Sequence, residues 1–277
     1  MRVTNIELFP GSGLDPVVLD FMDAPPENPY QILTAQGLDA DDVVSRFYGT
    51  GGGSQRFHEM TLQKRTVVLR VGLSPVFHEG QSYSDLRDRL YRIIGDSRSG
   101  FVKLRFNDEE GAIACLHGFV TKLEAPQFSK DQIATITINC DETPMLHGVD
   151  RVEVDVSELD PAGTEIEVTD STASTGFKFA VRFTAATPYF EITDTEATWN
   201  MRITIQGGFL EDDVLFVSSE PGDKYLYYER GGIAVHVADR VAPGFAWPIL
   251  FPRANYFFCV GNLQWEALSY VPIYWGL

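Results

Sequence analysis

Gly49-Thr50-Gly51-Gly52-Gly53-Ser54 is the stretch of this sequence that most resembles a phosphate cradle. Such a loop needs a Lys-Ser/Thr pair entering a helix, so that backbone amides and an ammonium converge on the phosphates. Gln55, Arg56, Phe57, His58 and Glu59 follow instead, and the stretch reads as a mobile surface loop. His58, His78, His117, His147 and His236 contain no i, i+2 or i, i+4 pair of the kind that ligates a metal. No Gly-x-Ser-x-Gly elbow is present, although a triad assembled from distant residues leaves no trace in a sequence. Three carboxylate runs, Asp39/Asp41/Asp42, Asp108/Glu109/Glu110 and Glu211/Asp212/Asp213, are neighbours on loops. A glycosidase needs two acids facing each other across a sugar, and an EF-hand needs its spaced loop. Solvated loop charge is the expectation for all three.

Cys115, Cys140 and Cys259 are isolated and odd in number, which argues against a disulfide framework or a zinc site and for small buried hydrophobes. Trp199, Trp247, Trp265 and Trp275 lie in the second half with Tyr225, Tyr227 and Tyr228. Such rings stack on sugars or, more commonly, fill a core. Tyr225 and Tyr227 share a face and Tyr228 points to the other. No catalytic, cofactor-binding or metal-binding residue is assigned, and the chain is read as a non-enzyme.

The elements that would position these residues are mostly strands. Val67–Leu73, Val102–Phe106 and Ile136–Cys140 alternate with the period of a half-buried strand. One helix stands out from Ser84 to Gly95, with Leu86, Leu90, Ile93 and Ile94 on one face, Asp85 in the first turn and Gly95 placed to end it. Ala40–Phe47 is a weaker helical candidate. The second half reads as strands at Val152–Val156, Glu165–Val168, Phe177–Phe183, Met201–Ile205, Val214–Val217, Tyr225–Tyr228, Ile233–Val237, Asn255–Val260 and Ala267–Ile273, separated by glycine-rich turns such as Gly231-Gly232. The character changes near Asp141–Gly148, dividing a mixed α+β domain (1–145) from a β-sandwich (146–277).

The 277 residues are 44% hydrophobic and carry a formal net charge of −17. That surface repels phosphates and anionic lipid, so DNA is not expected as a bound ligand. No run of eighteen apolar residues suggests a membrane span, and the start, with Met1, Arg2 and Val3 leading into alternation, lacks the apolar core of a signal peptide.

Residues 209–277 carry the most specific likeness to a known family: Val214-Leu215-Phe216-Val217, Lys224-Tyr225-Leu226-Tyr227-Tyr228, then Trp247 through Phe257 with a Leu-x-Pro-x-x-Asn turn, and a closing Ser269-Tyr270-Val271-Pro272-Ile273-Tyr274-Trp275-Gly276. With Tyr30–Leu38 and Ile136–Met145, the order of elements resembles the siphophage distal tail proteins over nearly the whole chain. Arg253 stands where that family has glycine, and Glu142 and Thr143 separate Asp141 from Pro144. The resemblance implies a mainly β protein: an N-terminal belt domain with one helix, then a galectin-like β-sandwich. It implies a homohexameric ring in the virion tail tip, assembled in the host cytoplasm, with the tail tube protein, the tape measure protein and hub or fibre proteins as partners. DNA would pass through the lumen without specific binding, and unpaired strand edges of the first domain would close the ring by sheet augmentation. Gly49–Ser54 and Gly95–Gly100 are the candidate interface loops. The alternative reading is a carbohydrate-binding module or adhesin contacting host glycans, resting on the tryptophans.

Overall fold

The computed structural model describes the chain except residues 1–2, 11–14, 22–27, 40–42, 51–53, 63–64, 75–80, 98–101, 127–131, 141–144, 197, 244 and 277, and gives only the backbone of 43–50, 54–62 and 95–97. Strand makes up 54% of it. The chain divides into two compact units: Met1–Val149 with Tyr274–Leu277, and Asp150–Ile273.

Unit 1 contains β1 (Asn5–Phe9), β2 (Val17–Phe21), β3 (Tyr30–Gln36), β4 (Val43–Thr50), β5 (Ser54–Leu62), β6 (Arg65–Leu73), α1 (Tyr83–Ser97), β7 (Val102–Asn107), β8 (Ala112–Glu124), β9 (Ile133–Cys140) and β10 (Leu146–Gly148). Seven strands run β8-β7-β1-β2-β3-β6-β9, and β9 pairs back onto β8, so the sheet closes into a barrel. A mixed α+β domain with unpaired strand edges was expected here; in the closed ring none of these seven strands is terminal, although β2 meets β3 only at Asp20↔Gln31 and Phe21↔Ile32. The closing strand is β8. Its first half pairs with β7 as far as Val102↔Gly118, and its second half pairs with β9 from Phe119↔Asn139. Gly118 sits where β8 changes partner. A Cβ there would lie 2.6 Å from the Asn139 carbonyl oxygen and 2.8 Å from the Cys140 sulfur, so any side chain at this position collides with the strand that completes the barrel.

Alternation fills the interior. Along β6, Val67, Leu69, Val71 and Leu73 are buried while Thr66 and Arg70 are exposed. Each such aliphatic side chain taken fully from water contributes about 1.5–3 kcal/mol. The helix α1 runs Tyr83–Ser97 and continues past Gly95, which was expected to end it. Its stripe of Leu86, Leu90, Ile93 and Ile94 joins the barrel's core cluster. Ser82 and Asp85 cap it reciprocally: the Asp85 amide donates to Ser82 Oγ at 3.2 Å, and the Ser82 amide donates to the Asp85 carboxylate at 2.8 Å. The buried Tyr30 hydroxyl donates to the Leu86 carbonyl at 3.1 Å, and burial pushes its pKa up to about 12. The expected helix at Ala40–Phe47 is not formed: Val43–Phe47 belongs to β4, which pairs only with β5. Hairpin pairing, not local helix propensity, decides this segment.

Unit 2 contains β11 (Val152–Glu153), β12 (Thr164–Glu167), β13 (Thr175–Phe183), β14 (Phe190–Asp194), β15 (Asn200–Ile203), β16 (Val214–Ser218), β17 (Tyr225–Arg230), β18 (Ile233–His236), β19 (Ile249–Leu250), β20 (Ala254–Val260) and β21 (Leu263–Tyr270). One sheet is ordered β11-β21-β13-β16-β17-β18, with β19 beside β13; the other is β12-β20-β14-β15. Their inward residues share one core. Phe177 and Phe257, from different sheets, have ring centroids 5.9 Å apart, and Phe179 and Phe190 are 6.2 Å apart. The Gly231-Gly232 turn forms as expected: φ of 57° and 79° joins β17 to β18 in a left-handed turn that other residues rarely adopt. The chain then returns to unit 1. Tyr274 lies in the short β22 (Ile273–Tyr274), and the buried Arg65 guanidinium donates to the Trp275 carbonyl at 2.7 Å.

Candidate functional site

The groups singled out for chemistry stay apart. Among the described residues no three His, Cys, Asp or Glu side chains converge as a metal site, and no helix is long and apolar enough to cross a membrane. His117 lies on β8, where burial and the adjacent Lys103 lower its pKa. His147 lies on β10 opposite Cys115. His236 is exposed on β18 with its ring 5.8 Å from that of Tyr227. His78, Asp41, Asp42 and Gly51–Gly53 lie outside the described residues, as does the His58 side chain. Gly49-Thr50 ends β4 and Ser54 begins β5, so the glycine-rich stretch joins the two strands of a hairpin. Of the expected loop at Gly95–Gly100, Gly95, Asp96 and Ser97 are helical, and 98–100 lie outside the described residues.

The three cysteines are buried and in no disulfide, and burial pushes the Cys259 and Cys115 thiols up. Both are therefore poor nucleophiles. The acidic runs separate into different roles. Asp108 accepts the amides of Glu110 and Gly111 at 2.8 and 3.1 Å, folding a turn. Asp213, expected in solvent, is 2% exposed. It pairs with both Arg230 Nε and Arg230 Nη2, the latter at 2.6 Å, and it accepts the Leu210 amide. This clamp explains the acidic turn: Asp213 holds the loop before β16 to the end of β17.

The aromatic residues also separate. Trp199 and Trp265 are each 3% exposed and lie in the core, where the Trp265 indole donates to Thr164 Oγ1 at 3.0 Å. Neither offers a stacking face to a sugar. Tyr228 is buried, while Tyr225 and Tyr227 line the opposite face, as the alternation required. Tyr227 stacks on Phe216, with centroids 4.9 Å apart and planes 14° from parallel, which pairs these rings across strands. A groove of about 570 Å³ lies on unit 1 between Tyr91 of α1 and Arg70, Glu124 and Thr135 of the barrel. Among the described residues, its lining contains no histidine or cysteine.

What the surface does offer is open backbone and uncovered apolar side chains. Among the described residues, the β4–β5 hairpin has an unpaired outer edge on each strand. The edge strand β18 exposes all four side chains, Ile233 at 69%. On β20, Tyr256, Phe258 and Val260 are exposed. Sequence reading missed this last group because both faces of Asn255–Val260 are apolar, so alternation gives no sign of which face is covered.

No protein-family model matches the chain, and no curated protein sequence matches it. Solved structures do. The Dit protein (gp 19.1) of phage SPP1, a hub protein of the adsorption apparatus of phages infecting Gram-positive bacteria, aligns with a TM-score of 0.64 at 14% identity, over 97% of this chain and 98% of its own. A chain of the phage P2 baseplate, in its activated conformation with calcium, covers 98% of each chain at a TM-score of 0.47 and 9% identity, too loosely to carry a fold assignment. Along nearly its whole length, this chain has the fold of the SPP1 hub protein.

Proposed function

We propose that this chain is a distal tail protein: a structural, non-enzymatic part of a phage tail tip that forms a six-membered ring between the tail tube and the hub and host-recognition proteins. The observation that carries the reading is the agreement of fold with the SPP1 Dit protein across both units. A likeness confined to one unit would fit any protein sharing that module. Unit 1 is then the ring-forming belt and unit 2 the outer, galectin-like sandwich, at work in the virion and assembled in the host cytoplasm.

The closed barrel changes how such a ring would form. None of its seven strands has a whole edge to lend a neighbour. The β4–β5 hairpin does, and it supplies strand edges for a heterologous contact that closes on itself. The lumen would pass DNA without holding it, in keeping with the excess of carboxylates over cations in the chain. The tail tube protein, the tape measure protein and the hub or fibre proteins would be its neighbours. The glycan-binding alternative loses Trp199 and Trp265, which are core residues, and keeps only the half-buried Trp247 and Trp275.

Negative-stain microscopy with light scattering tests the proposal. Six copies of a 30.9 kDa chain give rings of about 185 kDa. Replacing residues 43–62 by a short turn should yield monomers that keep the wild-type circular dichroism. A wild type that stays monomeric both alone and when co-expressed with its tail neighbours would remove the ring reading.

A further inference from the structure

Tyr256, Phe258 and Val260 stand at alternate positions of β20 and share the outer face of the β12-β20-β14-β15 sheet. They are 49%, 38% and 36% exposed. Isolated exposed hydrophobes are ordinary, but three in a row make a continuous apolar stripe. The flanking strands are acidic. Glu165 pairs opposite Tyr256 and accepts its hydroxyl at 2.6 Å, and Glu167 is the next outward residue of β12. On the other side, Thr193 lies opposite Phe258 and Glu191 opposite Val260. Two cations near this face are already engaged: the Arg202 guanidinium covers the Tyr189 ring at 3.9 Å and lies 4.0 Å from Glu191, and Arg253 pairs with Glu196. The face thus combines an apolar centre with carboxylates on both sides.

We infer that the outer face of β20 docks a protein segment bearing Lys or Arg on either side of apolar side chains. The carboxylates attract and orient the cations, and an arginine can lie over the Tyr256 or Phe258 ring while its neighbours reach Glu165, Glu167 or Glu191. Other ligand classes fit less well. Phosphate polymers and anionic lipid meet like charge. Small ligands seek concavity, and the hollow beside Tyr256 and Arg253 measures about 20 Å³, room for roughly one water. A neutral sugar can donate hydroxyls to the carboxylates but would leave their charge uncompensated. The face belongs to unit 2 alone, so the inference does not depend on ring formation.

The test uses the full chain and a labelled synthetic peptide in which arginine and leucine alternate, followed by fluorescence anisotropy at low and high salt. Phe258→Ser, and separately Glu165→Gln with Glu167→Gln, should each weaken binding about tenfold, as loss of a central contact does. The control, Glu109→Gln with Glu110→Gln, removes the same charge from a turn of unit 1 and should stay within about twofold of wild type. Should Phe258→Ser lower the melting temperature, Val260→Ser takes its place. Equal losses in all three variants would show attraction to net charge only and overturn the docking surface, as would no binding at low salt. Binding of dextran that disappears in Phe258→Ser would overturn it in favour of a saccharide.

Discussion

The barrel and the two-sheet unit bury their strands with different side chains. Among the described residues, the barrel's core cluster holds two buried aromatics, Tyr30 and Phe106, in a body of Ile, Leu, Val and Ala with Cys140. The core of unit 2 holds ten: Phe177, Phe179, Phe183, Phe190, Trp199, Phe209, Tyr228, Phe257, Trp265 and Tyr270. Geometry accounts for the difference. A barrel of few strands has an interior just wide enough for its own side chains, and branched aliphatics fill it. Packed sheets stand about 10 Å apart, and rings reaching from both sides span that gap. Charge divides the same way. Asp150–Ile273 carries 8 Lys and Arg against 19 Asp and Glu, and the remainder of the chain 14 against 20. The closed, less acidic unit suits repeated self-contact; the acidic unit, with open edges and an uncovered stripe, suits contact with other chains.

Paired substitutions can break this contrast. Phe257→Ala removes a ring that touches Phe177, Trp199 and Trp265, and should cost about 3–5 kcal/mol. Three of the four tryptophans lie in unit 2, so the loss should appear in the fluorescence transition; an unchanged midpoint in urea would mean that the aromatic core is not what holds this unit. Gly118→Ala attacks the barrel at its seam and should cost roughly 1–3 kcal/mol, as overpacking does. The effect should appear as faster hydrogen exchange in β8 and β9, with unit 2 protected as before. Ile138→Val, within the aliphatic interior, should cost only about 0.5–1.5 kcal/mol, and a larger loss would show a barrel packed as tightly as unit 2. The smallest effect is at the cap of α1. Hydrogen bonds from Ser82 hold the Asp85 carboxyl below its ordinary value of 3.8. A depressed acid stabilises the fold above its unfolded pKa and ceases to as pH falls through the folded one. Asp85→Asn should therefore flatten the acid limb of stability in unit 1 below about pH 4, read by helix circular dichroism.

Much of the fold was legible. The stripe Leu86, Leu90, Ile93, Ile94 gave the helix, and alternation gave β6, β7 and β9. Closure was not legible, because it depends on β8 pairing with two strands in succession and on a glycine, Gly118, that no local turn requires. Strand β4 was mistaken for a helix because its partner, β5, decides its conformation. Asp213 looked like any acid of its run until Arg230, seventeen residues on, reached it. The stripe on β20 stayed hidden because the sequence names apolar residues but not which of them a second layer covers.

Arg65 has a consequence for the newly made chain. All seven ring strands have left the ribosome once Cys140 has, yet one carbonyl that holds the buried Arg65 guanidinium belongs to Trp275. At ordinary elongation rates that acceptor arrives roughly ten seconds later. Until it arrives, the guanidinium has the Asp39 carbonyl at 3.2 Å but not this second acceptor, and a buried donor without its acceptor costs free energy. Chains cut short before Trp275 never gain it. A barrel made without residue 275 is therefore weaker by that one hydrogen bond.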